Sequence, residues 1–467
     1  MGGNIMNKFQ RKVSVPIYTV FILLLFGIFG ISYTIWGNQS ARGTKVGAAE
    51  AAPEATVGVT KVVWWHAMSG ENGKVVDKLV SAFNASHKDI TVEAVYQGSY
   101  YDSLTKLKAS IGSTIAPTMA QVYDIGTRFM IDSRAITPIQ QFIDREKYDT
   151  SQMDEAIINY YTVDNTLFSM PFNASNPILY YNKDLFAAAG LNPDKPPVLY
   201  EDLKKAATKL TKGGVTGAYF GTHSWFMEQF AANQGAELVN NGNGRDGLAT
   251  AWQLNGEVGV KTLAWWKELV DSNVAIYSAG KGDTSKKAFA EGKVAMIFDT
   301  TAALRDILDL VEGKFEVGTG FFPKAAETAS GGVGVGGGSN WIMNSKSGEE
   351  QQAAWTFMKY LSEPEQQAIF HVNTGYFPIT KKTYELPIVQ ENMKKYPQFK
   401  TAIDQHNASK LNKATLGGVL GVYPDARKLT EEAVNQALSG QQSPQAALDM
   451  AATEINAKIA AYNHILK

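Results

Sequence analysis

The chain has 467 residues, 45% hydrophobic and 19% charged, enough to bury a large core in two or three domains, which excludes a peptide, a disordered regulator or a disulfide-stapled mini-protein. Its 44 Lys and Arg stand against 45 Asp and Glu, a net charge of -1, so no basic surface is available for phosphates and no nucleic-acid partner is expected. Cysteine is absent, which removes disulfides, thiol catalysis, Cys-ligated metal and lipid attachment at a cysteine.

In chain order, Lys8, Arg11 and Lys12 precede an uncharged, mostly apolar run from Val13 to Trp36. This is an export signal, with the basic residues held on the cytoplasmic side. The run of about 24 residues exceeds the roughly 7 to 15 of a signal-peptide core and is long enough to span a bilayer about 30 Å thick. Ala49-Glu50-Ala51 offers a small-x-small cleavage site, so a cleaved leader and a retained membrane tether both fit the residues. Residues 37–56 are small and polar without periodicity, a flexible linker, and the folded body begins near Val57.

From there Val57 to Trp65 reads as a strand. Glu71 to Phe83 reads as a helix, with Val75, Val76, Leu79, Val80 and Phe83 at helical spacing. Ile90, Val92, Ala94 and Tyr96 alternate as a strand, Tyr101 to Ile111 is helical, and Met119 to Tyr123 is a short apolar strand. This alternation predicts a parallel sheet covered by helices, whose ligands bind at the carboxyl ends of strands. Trp65-His66, Gly98 to Tyr100 and Tyr123-Asp124 fall at those ends. A second unit begins near Pro171: the strand Ile178 to Tyr181, the helix Asp184 to Ala189 closed by Gly190, helices over Leu199 to Leu210 and Val258 to Val270, and a buried strand from Lys293 to Phe298. The run Gly331 to Ser339 (GGVGVGGGS) lacks the Gly-Lys-Ser/Thr ending of a P-loop and reads as a strand passing close to a ligand or serving as a hinge. Ser362 to Lys467 reads as mostly helical.

The six histidines show no metal-binding spacing and no G-x-S-x-G elbow occurs, so no metal or cofactor is called for. Asn240 to Gly247 (NNGNGRDG) reads as an Asn/Gly turn rather than a calcium loop. Aromatic residues make up 11% of the chain, and Trp64, Trp65, Tyr100, Tyr123, Trp225 and Tyr376 lie beside polar groups at predicted strand ends. As a set they suit a cleft that stacks on a sugar or polyol while Asp and Asn bind its hydroxyls.

At Leu179-Tyr180-Tyr181-Asn182-Lys183-Asp184-Leu185-Phe186 through Ala189-Gly190-Leu191, Pro193, Pro196-Pro197 and Glu201-Asp202-Leu203, the chain resembles the extracellular solute-binding receptors of carbohydrate ABC importers. Further shared pieces are Trp65-His66-x-Met68-x-Gly70-Glu71, Gly98-x-Tyr100, Gln121-Val122-Tyr123, Pro171-Phe172-Asn173 with Ser175, Thr374-Gly375-Tyr376-x-Pro378-Ile379 and Leu411-Asn412-Lys413.

The resemblance implies an α/β, two-lobed periplasmic-binding-protein fold (type II-like). Each lobe is expected to be a mainly parallel sheet flanked by helices, with crossings near Ser169 to Asn173, Gly331 to Val335 and Thr374 to Thr380. It divides the body into a first lobe (57–170 and 331–377) and a second (171–330 and 378–467). A monomer is expected, free or tethered at the outer face of the membrane, that closes over a small-molecule ligand and presents it to a membrane permease.

By matching motif, Tyr100 and Asp124 would contact the ligand from the first lobe, Ser175 and Trp225 from the second, and Gly336, Gly337 and Tyr376 from the hinges. Trp65, His66, Asn173 and Asp299 join them, and Thr300 or Thr301 stands where the family offers a serine. The nearest branch of the family implies sn-glycerol 3-phosphate or a glycerophosphodiester as ligand. Three departures argue instead for a neutral sugar or glycosylated polyol. Asp124 replaces a glutamate, Thr222 replaces a cleft tryptophan, and Leu416 to Pro424 holds no Arg or Lys where the family has a phosphate-pairing arginine, leaving nearby Lys413 or Arg427 as substitutes. Asp299 also adds an acid beside the expected phosphate site. A sensor subunit would use the same receptor with a signalling partner, whereas a secreted glycan-acting enzyme would need two carboxyl groups facing one cleft, roughly 5 to 9.5 Å apart.

Overall fold

The computed structural model describes residues 58–278 and 284–466; the export segment and its cleavage site lie outside them. No described helix is long and apolar enough to cross a membrane. In chain order the strands are β1 (Thr60–His66), β2 (Ile90–Tyr96), β3 (Met119–Tyr123), β4 (Ile136–Thr137), the two-residue pair β5 (Thr162–Val163) and β6 (Thr166–Leu167), β7 (Met170–Ser175), β8 (Pro177–Asn182), β9 (Thr216–Gly221), β10 (Ala275–Ser278), β11 (Val294–Thr300), β12 (Val317–Gly320) and β13 (Gly336–Met343).

They build two main sheets. The first runs β2-β1-β3-β13-β4, with β7 also paired to β13, and the second runs β10-β9-β11-β8-β12. The strand-helix-strand alternation gives the expected parallel half of each sheet: β2, β1 and β3 in the first, β10, β9 and β11 in the second. The other half departs from the mainly parallel expectation, because β13 runs antiparallel to β3, β4 and β7, and β8 antiparallel to β11 and β12. These strands do not arrive through a right-handed strand-helix-strand unit, the connection that enforces parallel order.

The helices follow their apolar spacing. Gly70–Ser86 buries Val75, Val76, Leu79, Val80 and Phe83, and Tyr100–Ser110 starts at a capping box in which the Ser99 hydroxyl accepts from the Asp102 N–H while the Asp102 carboxylate accepts from the Ser99 N–H. The chain passes from the first sheet to the second through one residue, Asn176, between β7 and β8. Its carbonyl accepts from the Thr301 N–H at 2.9 Å and its side-chain oxygen from Gln405 Nε2 at 3.1 Å. A second passage separates β12 from β13. At a third, Phe377 bridges Ala174 and Thr380 bridges Met153.

Asn240 to Gly247 is a turn, as expected: Asn241, Gly242 and Asn243 are all left-handed. It also has a scaffold role. Asn243 Nδ2 donates to the Lys413 carbonyl, its backbone N–H donates to Glu237 Oε2, and Arg245 donates to the carbonyls of Tyr160, Leu416 and Gly417. The loop leading into the helix Tyr423–Leu438 is thereby fixed.

Candidate functional site

The carboxyl ends of β1, β3 and β11 carry the polar residues singled out in the sequence. At the end of β3 the backbone tightens into a 3₁₀ turn, Asp124–Gly126, secured by the Thr127 hydroxyl donating to the Asp124 carbonyl at 2.7 Å. This leaves the Asp124 side chain to point away from its own strand, where it meets Arg427. Arg427 Nη2 donates to Asp124 Oδ2 at 2.9 Å, and Nη1 reaches Oδ1 at 3.5 Å.

The opposite edge of the same guanidinium is held by Glu228, with Nε donating to Oε1 at 2.7 Å and Nη2 to Oε2 at 2.8 Å. The Tyr423 hydroxyl donates to Glu228 Oε2 at 3.1 Å. Asp124, Glu228 and Arg427 are 5%, 4% and 8% exposed, so one cation and two anions share a site nearly closed to water. Burial works against the Arg427 charge, but the two carboxylates outweigh it and hold its pKa above the ordinary value. Burial drives the Asp124 carboxyl upward against the pull of Arg427, and the charge on Glu228 adds to the rise.

Arg427 thus faces the strand end from one turn inside the helix Tyr423–Leu438. Arg427, one of the two substitutes considered, lies after Pro424, outside the stretch Leu416 to Pro424 that holds no Arg or Lys. Lys413, the other substitute considered, is paired with Asp246 at an exposed position.

Beside the charged group lies a neutral one. Asn173 Nδ2 donates to the Tyr100 hydroxyl at 2.6 Å and its Oδ1 accepts from Gln121 Nε2 at 2.7 Å. The Tyr376 hydroxyl lies beside both Asn173 and Tyr100. Tyr100 and Tyr123 stack, with centroids 5.3 Å apart and planes 4° apart. Burial raises the pKa of Tyr100 and Tyr376, so both remain neutral donors.

Trp225, half-buried at the start of the helix Ser224–Asn233, lies over Gly336, where an added Cβ would come 2.7 Å from the ring. Gly337 has φ +116° and no room for a Cβ against the Asn173 carbonyl, so only glycine brings β13 this close to β7. Ser175 is buried opposite Gly336 across that pair.

The other candidates also make contacts within the fold. Trp65 is half-buried on the face of β1 opposite Trp64 and His66. His66 Nδ1 accepts from the Met68 N–H at 3.3 Å, and burial lowers its pKa to about 4 despite Asp77. Asp299 Oδ1 accepts from the Thr300 N–H at 2.7 Å, and Thr300 Oγ1 accepts from the Ala302 N–H at 3.2 Å. Thr301 is fully buried, while Thr300 keeps partial access to solvent. Thr222, where the family's second cleft tryptophan would stand, donates its hydroxyl to the Ser278 carbonyl at 2.8 Å.

Glu228 and Tyr423 were not legible as site residues. The available signal was a carboxylate three residues after Trp225 on a helix otherwise burying Phe226, Met227, Phe230 and Ala231.

Two sheets joined by three crossing segments, with polar side chains and aromatic faces gathered at strand ends, define a two-lobed binding protein of the periplasmic type. The chain belongs to the bacterial extracellular solute-binding protein family, whose model matches residues 78–401, and it is a solute-binding receptor of the ABC-importer class. It is 35% identical over 405 residues to the sn-glycerol-3-phosphate-binding periplasmic protein UgpB of Escherichia coli (strain K12), covering 84% of this chain and 91% of that protein. Among solved structures it is similar to UgpB from Mycobacterium tuberculosis in complex with glycerophosphocholine, with TM-score 0.75 and 17% identity over 87% of this chain and 100% of that one. It is also similar to the cyclic alpha-maltosyl-1,6-maltose binding protein from Arthrobacter globiformis, with TM-score 0.69 and 24% identity over 86% and 99%.

Proposed function

We propose that this receptor captures a glycerol phosphate ester, sn-glycerol 3-phosphate or a glycerophosphodiester, between its lobes and hands it unchanged to a membrane permease. The observation that carries the reading is Arg427, a guanidinium fork at the end of β3. Such a fork matches two phosphoryl oxygens in a way that no hydroxyl or amide does. The 35% identity to the E. coli glycerol-3-phosphate-binding protein supports it. The glycerol hydroxyls would lie toward Tyr100, Asn173 and Tyr376, with the apolar side of the ligand on Trp225 and with Ser175, Thr300 and the amides of Gly336 and Gly337 as further donors.

The lobes are taken as 57–170 with 331–377, and 171–330 with 378–467. The receptor works as a monomer at the outer face of the membrane, free or tethered by Val13 to Trp36. Asp124 and Glu228 are both bound to one guanidinium rather than standing apart for acid and base work, which favours a receptor over a glycosidase.

A second reading, a neutral sugar or glycosylated polyol, draws on the same group: two carboxylates around one guanidinium leave a net negative charge that suits hydroxyls. Calorimetry with sn-glycerol 3-phosphate and glycerophosphocholine against maltose, trehalose and glucosylglycerol separates the two. The phosphate-ester reading expects a Kd below ~10 μM and a loss of about 100-fold in Arg427→Ala. Tight binding of a neutral glycoside with none of either ester would establish the second reading.

A further inference from the structure

The charged group at the end of β3 holds one positive and two negative side chains, and the three are not bound alike. Glu228 chelates the Nε–Nη2 edge of Arg427 at 2.7 and 2.8 Å and also accepts the Tyr423 hydroxyl at 3.1 Å. Asp124 holds the other edge through one bond of 2.9 Å and a second of 3.5 Å. An anion that pairs with Arg427 must take an edge of the guanidinium, and the edge more loosely held is that of Asp124. Once displaced, an ionised Asp124 would sit buried beside a second anion with no countercharge, the arrangement that low-dielectric surroundings penalise most.

We infer that an anionic ligand enters this site together with one proton from solvent, which Asp124 takes up as it yields its edge of Arg427, while Glu228 keeps the other edge. This rests on the glycerol phosphate reading above. The step is a proton transfer alone: the carboxylate of Asp124 becomes a carboxylic acid, and its new O–H donates to a phosphoryl oxygen.

The groups facing Asp124 leave no competing acceptor of equal standing. From the helix Tyr423–Leu438 come Arg427 and Tyr423, from the helix Ser224–Asn233 comes Glu228, from β3 itself Tyr123, and from the helix Glu155–Tyr160 and the residue after it Tyr160 and Tyr161. Burial raises all four tyrosines, which therefore stay neutral near pH 7. Burial also favours the protonated form of Asp124. Glu228 keeps three donors on its carboxylate.

Glycerophosphocholine is the probe, because neither its phosphodiester nor its quaternary ammonium titrates near neutral pH, whereas sn-glycerol 3-phosphate carries a titrating phosphate of its own. Calorimetry of the full chain in buffers of differing ionisation heat counts the protons bound. The expected result is uptake approaching one proton, with Kd rising up to about ten-fold per pH unit on the alkaline side. Asp124→Asn should bind the diester with no uptake and a Kd independent of pH. Binding without proton exchange in the parent chain, or uptake that persists in Asp124→Asn, overturns the inference while leaving the glycerol phosphate reading intact. Failure of the diester and of sn-glycerol 3-phosphate to bind at any pH overturns that reading, and this inference with it.

Discussion

Two strand ends, one in each sheet, are built alike and used differently. β3 runs into the 3₁₀ turn Asp124–Gly126 and the helix Thr127–Asp132, and β11 runs into the 3₁₀ turn Thr301–Ala303 and the helix Leu304–Val311. Asp124 opens the first turn, and Asp299 lies in β11 just before the second. Asp124 projects onto Arg427, contributed by a helix some three hundred residues further along. Asp299 folds back to accept its neighbour's N–H, and Thr300 caps the turn that follows. Asp124 therefore makes a charged contact between distant elements, and Asp299 accepts a hydrogen bond beside a capped turn. What decides the role of an acid at a strand end is the side chain brought against it, which local sequence does not carry.

The largest test of this contrast removes the cation. Arg427→Met leaves Asp124 and Glu228 buried without a countercharge and is expected to cost about 3 to 5 kcal/mol at pH 7 in urea unfolding. The loss should shrink as pH falls, because the Asp124 carboxyl, raised by burial, binds a proton in the folded state and loses that stabilisation as pH rises. A variant within about 1 kcal/mol of the parent would erase the difference between the two turns.

A third strand end, that of β1, sharpens the contrast through pH. Burial lowers His66 and also His371, whose Nδ1–H donates to the Tyr376 carbonyl at 2.7 Å, to about 4. Both are neutral when folded and bind protons on unfolding, so stability is present above about pH 6.5 and is lost as pH falls toward 4, by about 3 kcal/mol for each histidine. Denaturation midpoints that stay level down to pH 4.5 would mean that these imidazoles are open to water.

Smaller effects are expected at β11. Thr300→Ala removes a cap and should cost about 1 kcal/mol, with weaker ligand binding as the second readout in calorimetry. Asp299→Asn keeps an oxygen for the Thr300 N–H and should stay within about 0.5 kcal/mol of the parent in thermal unfolding. An Asp299→Asn penalty as large as that of Arg427→Met would show that both acids serve charge pairing.

The elements that periodicity controls were readable. Ile90–Tyr96 and Met119–Tyr123 match the expected strands at both ends, and Gly70–Ser86, Tyr200–Leu210 and Glu257–Asp271 match the expected helices to within a few residues. The antiparallel halves of the sheets were not, since the direction of β8 and β13 depends on crossings between sheets rather than on local pattern. Candidate residues on strand ends were nominated from position alone, and that criterion does not separate Asp124, which faces Arg427, from His66, which is bound by its own loop. Arg427 was legible only as a nearby substitute, because the family's motif places its arginine before the proline. A proline at the first turn of a helix starts it rather than ending the segment, and one turn further on the chain returns to the cleft.

The position of β13 has a consequence in time. It lies between β3 and β4 in space but follows them by roughly two hundred residues. A polypeptide emerging from its amino end delivers β1, β2 and β3 early, and the inner edge of β3 then has no neighbour until Gly336–Met343 arrives. Closure over so long a loop is slow, and an uncovered strand edge invites mispairing. The glycine-led strand that brings the hinge together is therefore also a clock: the first sheet stays unfinished while the chain is still being delivered, and a passage that admits only unfolded polypeptide has that interval in which to act.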